Sequence, residues 1–127
     1  MDFSVEISRT TKGKPPRLPF TEMKNEVLGK NYLLSVAFVG DKRSRTLNKQ
    51  YRKKDKPANI LSFALSDAEG EIVMNLAQCK RDAKKFNRTF DNFVAFLFIH
   101  GLFHLKGFEH GSRMEEREKS VRKHFGI

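Results

Sequence analysis

The sequence predicts a single α+β domain, in which one mixed sheet of about four strands packs with about five helices. Segments with strand and helix patterns interleave along the chain, and two neighbouring strand patterns, 59–65 and 71–76, could pair as a hairpin. The length of 127 residues suits one domain over residues 1–127, and a hydrophobic share of 39% with twelve phenylalanines is enough for one core.

The first half of the chain contains two predicted strands and two predicted helices. Alternation in "DFSVEISR" predicts a half-buried strand, and the continuous apolar run "YLLSVAFVG" predicts a strand covered on both faces. Thr21 is placed to cap a short helix that ends near Gly29. The polar stretch 41–56 is helical in character, and Pro57 should end it.

The second half begins with "ANILSFAL" and "GEIVMNL", which predict two more strands separated by a turn at 67–70. "AQCKRDAKKFN" predicts a basic helix. Asp91 and Asn92 then open a long helix that is apolar nearly all round, so we expect it to be the buried central helix, with Gly107 at its end. The charged stretch 112–123 predicts a last helix.

Three of the four histidines lie within "HGLFHLKGFEH". His100 and His104 are four residues apart and share one helix face, and Gly107 lets the chain turn so that His110 can swing back. HxxxHxxGxxH is the zincin-like ligand spacing of a large class of zinc enzymes. Three imidazoles on one zinc ion leave a fourth position for water, which is typical of a catalytic zinc site. We expect this site to lie just after the central helix. His124 has no such partner and should be a surface residue.

The residue after the first histidine separates this pattern from the HExxH peptidases. Those enzymes need a glutamate there as general base, and this chain has Gly101. A glycine inside a helix costs about 1 kcal/mol relative to alanine, so we expect a compensating close approach of a strand or of substrate. The spacing therefore indicates metal-dependent hydrolysis but argues against HExxH proteolysis.

Charge points to a polyanionic partner. The net charge is +10 with a pI near 10, and such an excess favours nucleic acid. Combined with a hydrolytic metal site, two basic clusters on predicted helices favour a nucleic acid substrate over a peptide. A phosphodiester is best held by an arginine fork, although the pattern does not single out one arginine. The clusters are Lys42, Arg43, Arg45, Lys49, Arg52, Lys53, Lys54 and Lys56, and Lys80, Arg81, Lys84, Lys85 and Arg88.

Composition also bears on location. The longest apolar run, "FVAFLFI", is far shorter than the ~20 residues that span a bilayer, and no secretory signal pattern is visible, so we expect no membrane association. The one cysteine, Cys79, fits a reducing cytoplasm. Oligomeric state is left open.

Two motifs carry a resemblance to a known family. "HGLFHLKGFEH" closely resembles the HGxLHLxGYDH signature of the YbeY family of bacterial endoribonucleases, and "LNKQYRKKDKPANILSF" resembles its second signature, roughly LNxxYRxxDxPTDVLSF. "GEIVMN" is similar to the GDI strand that follows. The resemblance covers about residues 36–126.

The resemblance implies a metal-dependent endoribonuclease, with one zinc ion expected, that acts on single-stranded RNA. It further implies a role in ribosomal RNA processing, at the 3′ end of small-subunit rRNA, and in ribosome quality control. The family's metal ligands correspond to His100, His104 and His110, and its motif arginine corresponds to Arg52. We therefore expect Arg52 and His100 to be catalytic.

The chain departs from the family pattern at three acidic positions. Ala58-Asn59 stands for Thr-Asp, which removes a carboxylate, while Glu109 and Glu71 replace aspartates. The general acid is left open, with Glu109 as one candidate. Two alternatives also stay open: a non-catalytic RNA-binding ribosome assembly factor with a structural metal, and a metallopeptidase.

Overall fold

The computed structural model describes residues 2–127 and confirms the α+β class, with a four-stranded mixed sheet and five helices across that range. In chain order the elements are β1 (Glu6–Arg9), α1 (Phe20–Leu28), β2 (Leu33–Val39), α2 (Asp41–Arg52), β3 (Ile60–Ser66), β4 (Glu69–Asn75), α3 (Leu76–Lys85), α4 (Phe90–Leu105) and α5 (Ser112–Phe125).

The strand order in the sheet is β1-β2-β4-β3. β1 runs parallel to β2, and β2 runs parallel to β4. β3 and β4 pair antiparallel as the predicted hairpin, with a register irregularity between Ala64 and Ser66. The connecting turn is shorter than predicted because β4 already begins at Glu69.

The predicted burial of the first two strands is partly wrong. β1 is exposed along its length, and the side chain of Ile7 is 49% exposed. β1 is an edge strand, and the half-buried residues of its pattern, Phe3 and Val5, precede it. In β2, Leu34, Val36 and Phe38 are fully buried, whereas Ser35 and Ala37 between them are only half-buried. The apolar run therefore has one fully covered face and one partly covered face.

The core lies on both faces of the sheet. On one face, apolar residues of β2 and β4 pack against α1, α3, α4 and α5. On the other, Leu47 of α2 joins a smaller cluster with Leu61 of β3 and Val73 of β4. This second cluster holds α2 over the sheet and so fixes where its C-terminal end lies.

α4 is the central helix, as predicted. Most of its residues are buried, and they lie on all sides of the helix: Phe93, Val94, Ala95, Leu97, Phe98, Ile99, Gly101, Leu102 and Phe103. Truncation of such a phenylalanine to alanine costs about 3–5 kcal/mol. No helix within residues 2–127 is long and apolar enough to cross a membrane.

Two helix starts differ from the prediction. α1 begins at Phe20, one residue before the predicted cap. Thr21 instead accepts a hydrogen bond from the Val5 N–H at 3.0 Å, which ties the N-terminal segment to the helix. The cap of α4 is Thr89, whose hydroxyl oxygen accepts from the Asn92 N–H at 3.2 Å.

α2 ends earlier than predicted. The helix stops at Arg52 because Lys53 adopts a left-handed conformation with φ 58°, and the Lys53 N–H donates to the Lys49 carbonyl at 3.1 Å. Pro57 therefore follows the helix end and does not cause it. The helical part of the first basic cluster therefore excludes Lys53, Lys54 and Lys56. In the second cluster, Arg88 lies past the end of α3.

Candidate metal centre

Three histidines converge where α4 ends. Gly107 has φ +99°, and its N–H donates to the His104 carbonyl at 3.0 Å, which turns the chain back as predicted. The ring centroids lie 4.5 Å apart for His100 and His104, 5.1 Å for His100 and His110, and 4.6 Å for His104 and His110. One nitrogen from each ring lies within 4.8 Å of the others.

The trio fits a single divalent cation. Tetrahedral zinc with Zn–N bonds of about 2.0–2.1 Å places its nitrogen ligands about 3.3 Å apart. The Nε2 atoms of His100 and His104 are separated by 3.0 Å, close to that spacing. Imidazole suits Zn, Cu, Fe and Ni, so the donor set defines the class of cation.

A buried carboxylate orients the first histidine. Nδ1 of His100 lies 2.8 Å from Oε1 of Glu118 on α5, and the Glu118 side chain is only 8% exposed. A carboxylate only accepts hydrogen bonds, so this contact assigns the ring proton to Nδ1 and leaves Nε2 free for a metal. Glu118 thus contacts the histidine cluster through His100.

Sequence reasoning missed Glu118, although a signal was present. Met114, Glu118, Val121 and Phe125 follow one another at spacings of four, three and four, which place them on one face of α5. The structure buries or half-buries all four. An acid inside an otherwise apolar stripe indicates a partner on the neighbouring element.

The electrostatics of His104 favour the neutral ring that binds metals. Burial lowers the pKa of His104, and the neighbouring His100 and His110 lower it further, while a hydrogen bond with the Phe108 backbone acts in the opposite direction. A lowered pKa favours the neutral imidazole, which is the state needed for coordination.

The histidines open into a cleft of about 640 Å³. Its walls are the C-terminal end of α2, with Tyr51 and Arg52, and the start of β3 from Asn59 to Phe63. Within residues 2–127, Arg52 is the one member of the two basic clusters that lines this cleft. The structure thus brings the predicted arginine to the predicted histidines.

Other members of the basic clusters are engaged elsewhere. Arg45 pairs with Asp55 at 2.7 Å, and Arg81 pairs with Asp41 at 2.6 Å, both on the surface. Exposed pairs of this kind contribute little to stability, but they reduce the cationic charge of each stripe. The helical stripes are therefore less continuous than predicted.

Gly101 allows close contact between α4 and the sheet. A Cβ at this position would lie 3.0 Å from both Ile60 Cδ1 and Ser62 Oγ of β3. The expected compensation for this helical glycine is thus the approach of a neighbouring strand. Any side chain there, including the glutamate of an HExxH motif, would displace these side chains of β3.

The remaining polar candidates fall in different places. Asn59, which replaces the aspartate of the family motif, lines the cleft. Its Nδ2 donates a hydrogen bond to the Asp82 carboxylate of α3 at 3.0 Å. Glu109 is exposed, and the cleft lining found in the described part of the chain does not include it. Glu118 contacts His100 directly. His124 is exposed, as predicted.

The chain is similar to known proteins of one family. A family model described as Endoribonuclease YbeY matches residues 17–125. The chain is 33% identical to Endoribonuclease YbeY of Halalkalibacterium halodurans, over 72% of this chain and 67% of that protein. It is 35% identical to the protein of the same name from Bacillus cytotoxicus, over 67% of this chain and 64% of that protein. The chain thus spans about two thirds of the length of these relatives.

A solved structure has a similar fold. The solution structure of TM1509 from Thermotoga maritima superposes with a TM-score of 0.70 and 28% sequence identity, covering 96% of this chain and 89% of that one.

Proposed function

The chain belongs to the endoribonuclease YbeY family, and from this membership we propose that its three-histidine site holds one metal ion, expected to be zinc, and that the protein cleaves single-stranded RNA. The protein is a hydrolytic endoribonuclease. The observation that carries the proposal is the convergence of His100, His104 and His110 in a cleft edged by Arg52.

Each residue of the proposed site has a distinct task. His100, His104 and His110 hold the ion, and Glu118 keeps the His100 ring in position. When bound, a divalent cation supplies a Lewis acid and lowers the pKa of a water molecule toward about 7. Arg52 binds the scissile phosphate, because its planar guanidinium can donate two parallel N–H bonds to phosphate oxygens.

Ribosomal RNA is the proposed substrate. The net charge of +10 supports a polyanionic partner, and family membership supports a nuclease role in ribosomal RNA processing. We assign the proposed cleavage to the 3′ end of small-subunit rRNA and extend the role to ribosome quality control. With this substrate the proposed reaction takes place in the cytoplasm. The free thiol of Cys79 is consistent with that reducing compartment.

Neither alternative function is favoured. The relatives that match are named endoribonucleases, and the position that a peptidase of this class needs for its base is the sterically crowded Gly101. A structural metal would make folding depend on the histidines, whereas α4 is held mainly by its buried apolar residues.

The decisive experiment measures metal content and RNA cleavage together. Wild-type protein should contain one zinc per chain and cut a single-stranded RNA carrying the 3′ end of small-subunit rRNA. His100→Ala should lose both the metal and the cleavage but keep its circular dichroism spectrum. His124→Ala is the matched control, because this histidine is exposed on α5 and should leave both properties unchanged. Full cleavage by metal-free His100→Ala would refute the proposal.

A second pair of variants tests the phosphate ligand. Removal of one stabilising donor from such a site typically costs about 10²–10³ in rate. Arg52→Ala should show a loss of this size with metal content unchanged, and Arg52→Lys should restore little because it lacks the fork. Arg43→Ala, on the same helix but outside the cleft lining, is the control.

A further inference from the structure

One exposed aromatic side chain lies beside the metal cleft. Across residues 2–127 the large hydrophobic residues with high exposure are Ile7, Tyr51, Leu65 and Phe86. Of these, Tyr51 is the one that lines the cleft of the three histidines. Tyr51 is 58% exposed, so it is accessible to solvent at the edge of the proposed active site.

The ring of Tyr51 is held by a second aromatic residue. Its centroid lies 5.0 Å from that of Phe63, with an interplanar angle of 65°, which is a favourable edge-to-face arrangement. Phe63 is half-buried on β3 and packs against the second core cluster. The Tyr51–Phe63 pair therefore joins the end of α2 to the sheet and leaves one aromatic surface open to the cleft.

The position of this pair beside Arg52 indicates what covers it. Arg52 lines the same cleft, so a group that stacks on Tyr51 shares this cleft with the side chain proposed to bind the phosphate. A nucleotide combines a flat base, which can stack on an aromatic side chain, with a phosphate, which an arginine can bind. The excess of positive charge in the chain favours a polyanionic strand over an apolar peptide.

We propose that the Tyr51–Phe63 pair is a stacking platform for one unpaired nucleobase of the RNA strand, adjacent to the phosphate bound by Arg52. The inference rests on the proposed function and extends it by naming a base-binding subsite. In a duplex both faces of a base are covered by its neighbours, whereas an unpaired base offers a free face. The platform therefore gives a physical reason for acting on single strands.

The test measures binding and not cleavage. The full zinc-loaded chain is titrated into a 2′-O-methylated single strand of about eight nucleotides that carries one 2-aminopurine, and a gel confirms that the strand stays intact. Stacking on an aromatic ring contributes about 1–3 kcal/mol per base, which corresponds to about 5- to 150-fold in affinity. Tyr51→Ala should weaken binding by this factor and abolish the quenching of 2-aminopurine, while Tyr51→Trp should retain both.

Phe86→Ala provides a matched control. Phe86 has the same exposed fraction, 58%, but lies outside the cleft lining, so this variant should bind and quench as the wild type does. Equal weakening by Phe86→Ala and Tyr51→Ala would overturn the proposal, and so would wild-type binding and quenching by Tyr51→Ala. A dimer in sedimentation that becomes a monomer in Tyr51→Ala would also overturn it, because a second copy would then cover the ring.

The outcome is separable from that of the proposed function. If wild-type protein cleaves ordinary RNA while Tyr51→Ala binds the probe as tightly as wild type, the platform is wrong and the nuclease assignment stands. If Tyr51→Ala loses binding and quenching but wild-type protein cuts no RNA, the platform stands and the proposed catalysis is wrong.

Discussion

Glu118→Gln tests whether the buried carboxylate prepares the metal site. Oε1 of Glu118 lies 2.8 Å from Nδ1 of His100, with the Glu118 side chain 8% exposed. A hydrogen bond to a charged group contributes about 1.5–3 kcal/mol, and 1.4 kcal/mol is a factor of ten. The amide oxygen of glutamine still accepts from Nδ1 but carries no charge, and mutation of an outer partner of a metal-binding histidine typically costs about 10- to 100-fold in affinity. We therefore expect Glu118→Gln to bind zinc more weakly by one to two orders of magnitude.

The assay is a zinc titration of the purified protein against a chromophoric chelator of known affinity. Glu116→Gln is the control, because Glu116 lies two residues earlier on α5, is exposed, and is outside the lining that Glu118 shares with His100 and His110. It should bind zinc as wild type does. If Glu118→Gln retains wild-type zinc affinity while remaining folded by circular dichroism, the positioning role is refuted.

Three further predictions concern the scaffold. Gly101→Leu should lower the free energy of unfolding by about 1–3 kcal/mol in urea, because even a Cβ would lie 3.0 Å from Ile60 Cδ1; unchanged stability would contradict the close approach of α4 to β3. Burial raises the pKa of the Cys79 thiol to about 12, so iodoacetamide at neutral pH should modify unfolded but not native protein, and rapid native labelling would contradict this burial. The hydrogen bond from Arg81 lowers the pKa of Asp41 in the folded protein. The Asp41 carboxylate therefore stabilises the fold at pH values above the usual pKa of an aspartate, and this stabilisation is lost as the pH falls through the lowered pKa. Asp41→Asn should therefore reduce stability at neutral pH, by less than about 1 kcal/mol since the group is half exposed, and the deficit should shrink in acid; a deficit that grows in acid would contradict the assigned sign.

The parts of the site that are local in sequence were predictable. His100 and His104 are placed on one face by helix geometry alone, and Gly107 supplies the turn that returns His110. The central position of α4 was equally predictable, because a helix that is apolar all round is stable only when it is surrounded.

The parts that depend on packing between distant elements were not predictable from local pattern. Glu118 meets His100 only because α5 folds back against α4. Arg52 lines the cleft because α2 ends at this residue. The helix ends there because Lys53 adopts a left-handed conformation. Before the structure, only the family resemblance distinguished Arg52 from the other basic residues of its cluster.

The burial of the first strand, β1, also depends on packing between distant elements. Alternation around Ile7 correctly predicted an extended segment, but it carries no information on the position of that strand in the sheet. β1 lies at the edge of the sheet beside β2, and Ile7 is 49% exposed. Alternation therefore predicted the strand and overestimated its burial.

X-ray absorption spectroscopy of the zinc-loaded protein counts the imidazole ligands of the ion. We predict three imidazole nitrogens at about 2.0–2.1 Å with one further light-atom ligand, and two imidazoles in the spectrum of His110→Ala. A wild-type spectrum with fewer than three imidazoles, or one that His110→Ala leaves unchanged, would contradict the convergence of His100, His104 and His110 on one ion.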